Sequence, residues 1–186
     1  WRDKNKISQI IRGKIRIHRG FSGTTILRFA SFERFTHWLT ASCFIILALS
    51  GLNISFGRSL ILPLFGAEGF ATMSAYAKWA HNYLAFPFML GLVIMFLIWI
   101  KDNIPGKVDL EWFKQGGGVL FKDKHPPARR FNAGQKGIFW IVIIGGALMS
   151  VSGWFLLLPY LPADVTALQF WTVIHAVIAM LFIAAM

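Results

Sequence analysis

Cysteine is almost missing from this 186-residue chain, where Cys43 stands alone. One cysteine closes no internal disulfide and cannot supply the thiolates of a four-cysteine iron–sulfur cluster. The chain has no CxxCH segment, which excludes covalent c-type haem attachment. Acidic residues are scarce too, eight against 19 Lys and Arg. None falls inside the complete apolar runs, so the carboxylates that a membrane proton relay or a zinc site would draw on are not there. Period-two alternation is absent, which argues against a membrane β-barrel, and no internal repeat stands out. Cys43 itself lies in an apolar run and reads as a small packing residue.

What is abundant is apolar sequence. Hydrophobic residues make up 56% of the chain and charged ones only 15%, with a mean hydropathy of +0.58. That places the chain in the membrane class. Four apolar runs are visible: Phe35 to Phe56, Ala77 to Ile100, Gly137 to Tyr160, and one from Leu168 cut off at Met186. The three complete runs have roughly the 20 residues that a helix needs to span a bilayer. The expected fold is an all-α membrane protein, a bundle of four transmembrane helices with the last truncated. Trp1 in place of an initiator Met, and the abrupt stop at Met186, lead us to expect a chain trimmed or processed at both ends.

The net charge of +11 does not point to nucleic acid, because the basic residues flank the apolar runs. Residues 1–36 and 101–136 hold 17 of the 19 Lys and Arg; only Arg58 and Lys78 lie elsewhere. The positive-inside rule puts that side in the cytoplasm of a bacterial inner membrane. Residues 1–34 read as a basic cytoplasmic-side arm, and 35–186 as the membrane domain with a cytoplasmic loop at 101–136. That loop, with Pro105, the Gly116–Gly118 triplet and Pro126–Pro127, should be irregular apart from a short interfacial helix near Asp109 to Gln115.

Of the five histidines, His18 and His125 lie in polar basic segments and read as solvated side chains. His37, His81 and His175 each sit just inside an apolar run, where an ionisable group is costly and usually functional. The four-helix layout puts His81 and His175 at similar depth near the outer face. Two imidazoles facing each other across a bundle are what bis-histidine haem requires. His37 falls near the inner end and needs a different partner. A residue 14 positions after His175 would lie about 21 Å deeper on nearly the same helix face, so a histidine at position 189, beyond this chain, is the expectation. Gly51, Gly145, Gly146 and Gly153 would allow helices or a flat macrocycle to approach closely; ordinary helix packing explains any one of them equally well.

Six segments together resemble the cytochrome b (gamma) subunits of membrane-bound formate dehydrogenases: FERFTHW, ALSGL, KWAHNYLAFPF, IKDNIPGKVDLEW, RFNAGQKGIFW and IHAVIAMLFIA. The resemblance runs from about Arg28 to the end of the chain. It implies a di-haem cytochrome b fold in which His81 and His175 hold the outer haem b, and His37 is half of an inner site whose second ligand this chain lacks. It also implies a quinone near the inner haem, with Asn132 and Gln135 as contacts; an N-cap is the equally good alternative for Asn132. The implied partners are an iron–sulfur (beta) subunit, a molybdenum- or tungsten-containing catalytic (alpha) subunit and the lipid bilayer, and a higher oligomer is compatible with them. Electrons would pass from the iron–sulfur subunit through two b haems to quinone, and the chain would not act on formate itself. The rival expectations are the cytochrome b subunit of a nickel–iron hydrogenase, which shares the four-helix plan, and a haem-free membrane anchor.

Overall fold

A computed structural model describes residues 14–16, 25–118, 128–162 and 164–186; His18 and His125 lie outside them. Two short strands, β1 (Lys14–Arg16) and β2 (Thr25–Leu27), pair antiparallel with Ile15 opposite Ile26. Among the described residues five α-helices follow, α1 (Ser31–Leu60), α2 (Leu62–Asn103), α3 (Lys107–Lys114), α4 (Ala133–Leu157) and α5 (Val165–Ala185), with a 3-10 turn at Gly116–Gly118 after α3. Four of them, α1, α2, α4 and α5, are long and apolar enough to cross a membrane. The architecture is a membrane helical bundle in which the antiparallel pairs α1–α2 and α4–α5 are joined through α2 and α4.

The helices outrun the apolar runs that mark them. Residues 57–76, which hydropathy leaves as a connection, are almost wholly helical. Hydropathy reports the part of a helix that suits hydrocarbon, whereas its backbone hydrogen bonds continue through helix-forming sequence such as Ala71–Lys78. The break comes at Gly66, whose φ of 69° lies in the left-handed region that glycine enters without strain. His81 therefore sits well inside α2 rather than at its start. At the other connection, the expected Asp109–Gln115 helix appears as α3, and α4 begins at Ala133, four residues ahead of the apolar run.

Packing along the seam between α1 and α2 is asymmetric. α1 buries Thr36, Thr40, Cys43, Ser50 and Gly57, small residues spaced three, four or seven apart. α2 answers with Phe88 and Leu92, while its Met95 and Trp99 turn to Phe131 and Phe139 on the α4 side. Small residues on one helix let large ones on the other come close, the main source of attraction between helices in lipid. Thr36 and Thr40 pass their hydroxyl protons to the carbonyls of Phe32 and Thr36, so no donor is left bare. The closest approach is at Gly91, where an added Cβ would lie 2.2 Å from Thr40 Oγ1 and 3.6 Å from Thr40 Cα. With backbone directly behind the hydroxyl, Gly91→Ala is expected to overpack the seam at a cost of about 1–3 kcal/mol. A lowered unfolding midpoint in detergent checks this.

One end of the bundle carries a polar collar. Glu33 accepts hydrogen bonds from the backbone N–H of Ala30 (2.7 Å), the indole of Trp99 (2.7 Å) and Arg130. Arg130 also reaches Asp102 at 2.7 Å. Lys136, itself buried, donates to Asp109 (2.8 Å) and to the carbonyl of Ile104 (3.0 Å). The hydrogen bond from Lys136 holds the Asp109 carboxyl below the usual carboxylate range. Trp140 donates to the carbonyl of Asn103 at 3.0 Å. The starts of α1 and α4, the end of α2, and α3 are thus tied together.

Candidate haem site

His81 on α2 and His175 on α5 come together, with ring centres 6.3 Å apart and planes at 72°. Both rings are half-buried. Each is held from behind by the helix that precedes its own in the bundle. His81 Nδ1 lies 2.9 Å from Ser50 Oγ on α1, and His175 Nδ1 lies 2.9 Å from Ser152 Oγ on α4. The glycine after each serine gives the ring its place. A Cβ on Gly51 would stand 3.3 Å from His81 Cε1, and one on Gly153 would stand 3.2 Å from His175 Cε1. The same Ser-Gly pair meets the same ring edge in both halves of the bundle.

Sequence inspection gave His81, His175 and the two glycines, but not Ser50 or Ser152. The signal was present as the dipeptide Ser50–Gly51 in the first run and Ser152–Gly153 in the third. The spacing from glycine to histidine differs between the halves, which hides it as a repeat. Gly145 and Gly146 turn out to serve packing. An added Cβ would meet the Phe182 ring at 3.3 Å from Gly145 and Leu92 Cδ1 at 2.5 Å from Gly146.

His37 is elsewhere. It is exposed on the surface of α1, with its ring edge-on to Trp38 at 5.4 Å. Thirteen residues separate it from Ser50, about 20 Å along a helix. The structure does not bring it to either of the other two histidines. Asn132 and Gln135 form a reciprocal capping box at the start of α4: Asn132 Oδ1 accepts the Gln135 N–H (2.9 Å), and Gln135 Oε1 accepts the Asn132 N–H (3.1 Å). That arrangement uses both amide oxygens and leaves both NH2 groups as donors.

Two facing imidazoles suit one iron held between them. Metal–nitrogen bonds of about 2 Å on either side of an iron put two imidazole centres about 6 Å apart, close to the spacing seen here. Among the described residues no three His, Cys, Asp or Glu side chains cluster to hold a metal ion. A pair with no third donor would suit a haem, whose macrocycle supplies the other nitrogens itself. Aromatic rings gather at the same level, with Phe86 against Trp154 at 6.2 Å and Phe155 stacked on Trp171 at 4.3 Å.

Residues 28–186 match the family described as prokaryotic cytochrome b561. The chain belongs to that family. Membership makes it a membrane cytochrome b and implies haem b as its cofactor. The chain is 30% identical over 162 residues to the formate dehydrogenase cytochrome b556(fdo) subunit of Escherichia coli (strain K12), covering 86% of this chain and 74% of that one. It is 27% identical over 165 residues to the nitrate-inducible formate dehydrogenase cytochrome b556(Fdn) subunit of the same strain, covering 86% and 73%. Over 133 residues it is 25% identical to the formate dehydrogenase cytochrome b556 subunit of Haemophilus influenzae, covering 70% and 53%.

Proposed function

We propose that this cytochrome b is the membrane-anchoring subunit of a formate dehydrogenase complex that delivers electrons to quinone. The observation that carries the proposal is the His81–His175 pair, spaced for one iron, in a chain whose similar proteins are formate dehydrogenase cytochrome subunits. Those same relatives favour formate over hydrogen as the ultimate donor. Haem b bound by this pair supplies one-electron transfer between an iron–sulfur partner and quinone.

His81 and His175 hold the first haem, and His37 is the ligand proposed for a second one at the basic end. Asn132 and Gln135 lie at that same end, and their free NH2 groups are suited to a quinone carbonyl. The basic segments 1–36 and 101–136 support a cytoplasmic position for this end in a bacterial inner membrane, where protons for quinone reduction are available. The His81–His175 end then faces the iron–sulfur subunit, which in turn contacts a molybdenum- or tungsten-containing catalytic subunit.

The test uses membranes carrying the chain with its partner subunits. Dithionite reduction is expected to give a b-type α-band with two haems per chain, and formate is expected to raise the same band. No α-band on dithionite reduction overturns the haem assignment. A band raised by hydrogen but not by formate replaces the donor with that of the hydrogenase reading.

A further inference from the structure

We infer that Ser50 and Ser152 are positioning residues that set the tautomer of the two haem-binding histidines. This rests on the proposal that His81 and His175 hold haem, and it adds a role that ligand identity alone does not contain. A serine hydroxyl has one proton. In Ser50 that proton goes to the carbonyl of Leu47, 3.1 Å away. In Ser152 it goes to the carbonyl of Leu148 at 2.8 Å, with Met149 at 3.2 Å. With the proton placed there, the oxygen lone pairs face the histidine, which assigns each Nδ1 as the donor in its 2.9 Å contact. A neutral imidazole protonated on Nδ1 carries its lone pair on Nε2. Each serine therefore presents its histidine in the one tautomer that can bind iron through Nε2.

Coincidence is a poor account, because two different helix pairs arrive at the same arrangement. Serines in membrane helices commonly bond only to a carbonyl one turn back, and Ser150 does so, donating to Gly146 at 2.7 Å and meeting no histidine. It supplies an internal control. The consequence for bound haem follows from the direction of the hydrogen bond. An acceptor on Nδ1–H raises the basicity of Nε2. A more basic ligand favours the more highly charged ferric iron, so losing the acceptor should raise the midpoint potential and loosen the haem.

The experiment compares Ser50→Ala, Ser152→Ala, Ser150→Ala and Ser50→Thr in the full chain within its complex, reading haem retention and the potentiometric midpoint. Ser50→Ala and Ser152→Ala are expected to weaken haem retention about 10–100-fold, the usual effect of losing such a partner, and to shift the midpoint positive. Ser150→Ala should match the parent, and Ser50→Thr, which keeps the hydroxyl, should restore it. Parental retention and midpoint in both Ser50→Ala and Ser152→Ala, with haem lost in His81→Ala and His175→Ala, overturn the serine assignment while leaving the histidines in place. Haem kept in the histidine variants overturns the ligand proposal beneath it. Should an alanine variant lose helix content by circular dichroism, Ser50→Cys, similar in size and a weaker acceptor, is expected to shift the midpoint in the same direction; an unshifted midpoint there overturns the assignment.

Discussion

Replacing His81 or His175 with alanine is expected to remove one of two haems. The two ring centres lie 6.3 Å apart, each ring fixed by its own serine. Alanine at either position leaves a single axial nitrogen; among the described residues the one other histidine, His37, lies elsewhere on α1, and Cys43 is buried in the apolar core with Phe88, Leu92 and Phe182. The haem content per chain, measured by pyridine haemochrome, should fall by half in each variant and no further when the two are combined, because both remove the same group. His37 lies about 20 Å away along α1, so its α-band component should persist. Formate-driven quinone reduction should be lost almost completely, since the proposed route from donor to acceptor has been cut. Retention of both haems in either single variant contradicts the pairing.

The second large effect is expected at the collar. Arg130 joins the Glu33 and Asp102 carboxylates, on α1 and α2, to the approach to α4. The Glu33 side chain is only 11% exposed, while those of Arg130 and Asp102 are 32% and 34% exposed. Arg130→Ala leaves the Glu33 charge in a poorly hydrated position with, among the described residues, only the Trp99 and Ala30 N–H groups as partners. The cost should fall between that of a surface pair and that of a buried one, about 2–3 kcal/mol. Arg130→Lys should recover only part of it, because a single ammonium cannot match the fork that serves two carboxylates. Thermal unfolding in detergent compares these variants with Arg129→Ala, a change at an exposed neighbour. A loss in Arg130→Ala no larger than that in Arg129→Ala removes the collar as a source of stability.

The helices and the histidines were readable from sequence for one shared reason: hydrocarbon makes polar groups conspicuous. A run such as Ala77 to Ile100 announces a span, and a histidine inside it stands out because burying it is expensive. The depth match of His81 and His175 followed from counting residues along antiparallel helices, and the ring contact bears it out. Groups that are inexpensive in a helix stayed hidden. Ser50 and Ser152 satisfy themselves on their own backbone, so in local sequence only the glycine that follows each separates them from Ser150. The collar was hidden for a different reason. Glu33 and Arg130 are 97 positions apart, and two charges flanking apolar runs look like ordinary boundary residues until the fold brings them together. Hydropathy was also silent on the real length of α2 and on the pairing of β1 with β2, because neither depends on apolar content.

Phe182 is the one buried residue of α5, and the helix leans mainly on α4. Its packing against the rest of the bundle is therefore thin, yet it carries His175. Beyond Phe182, the Trp171 stack on Phe155 and the His175 contact with Ser152 fasten it. The imidazole of His175 therefore ties α5 to two neighbours at once, to α4 through Ser152 and to α2 through His81.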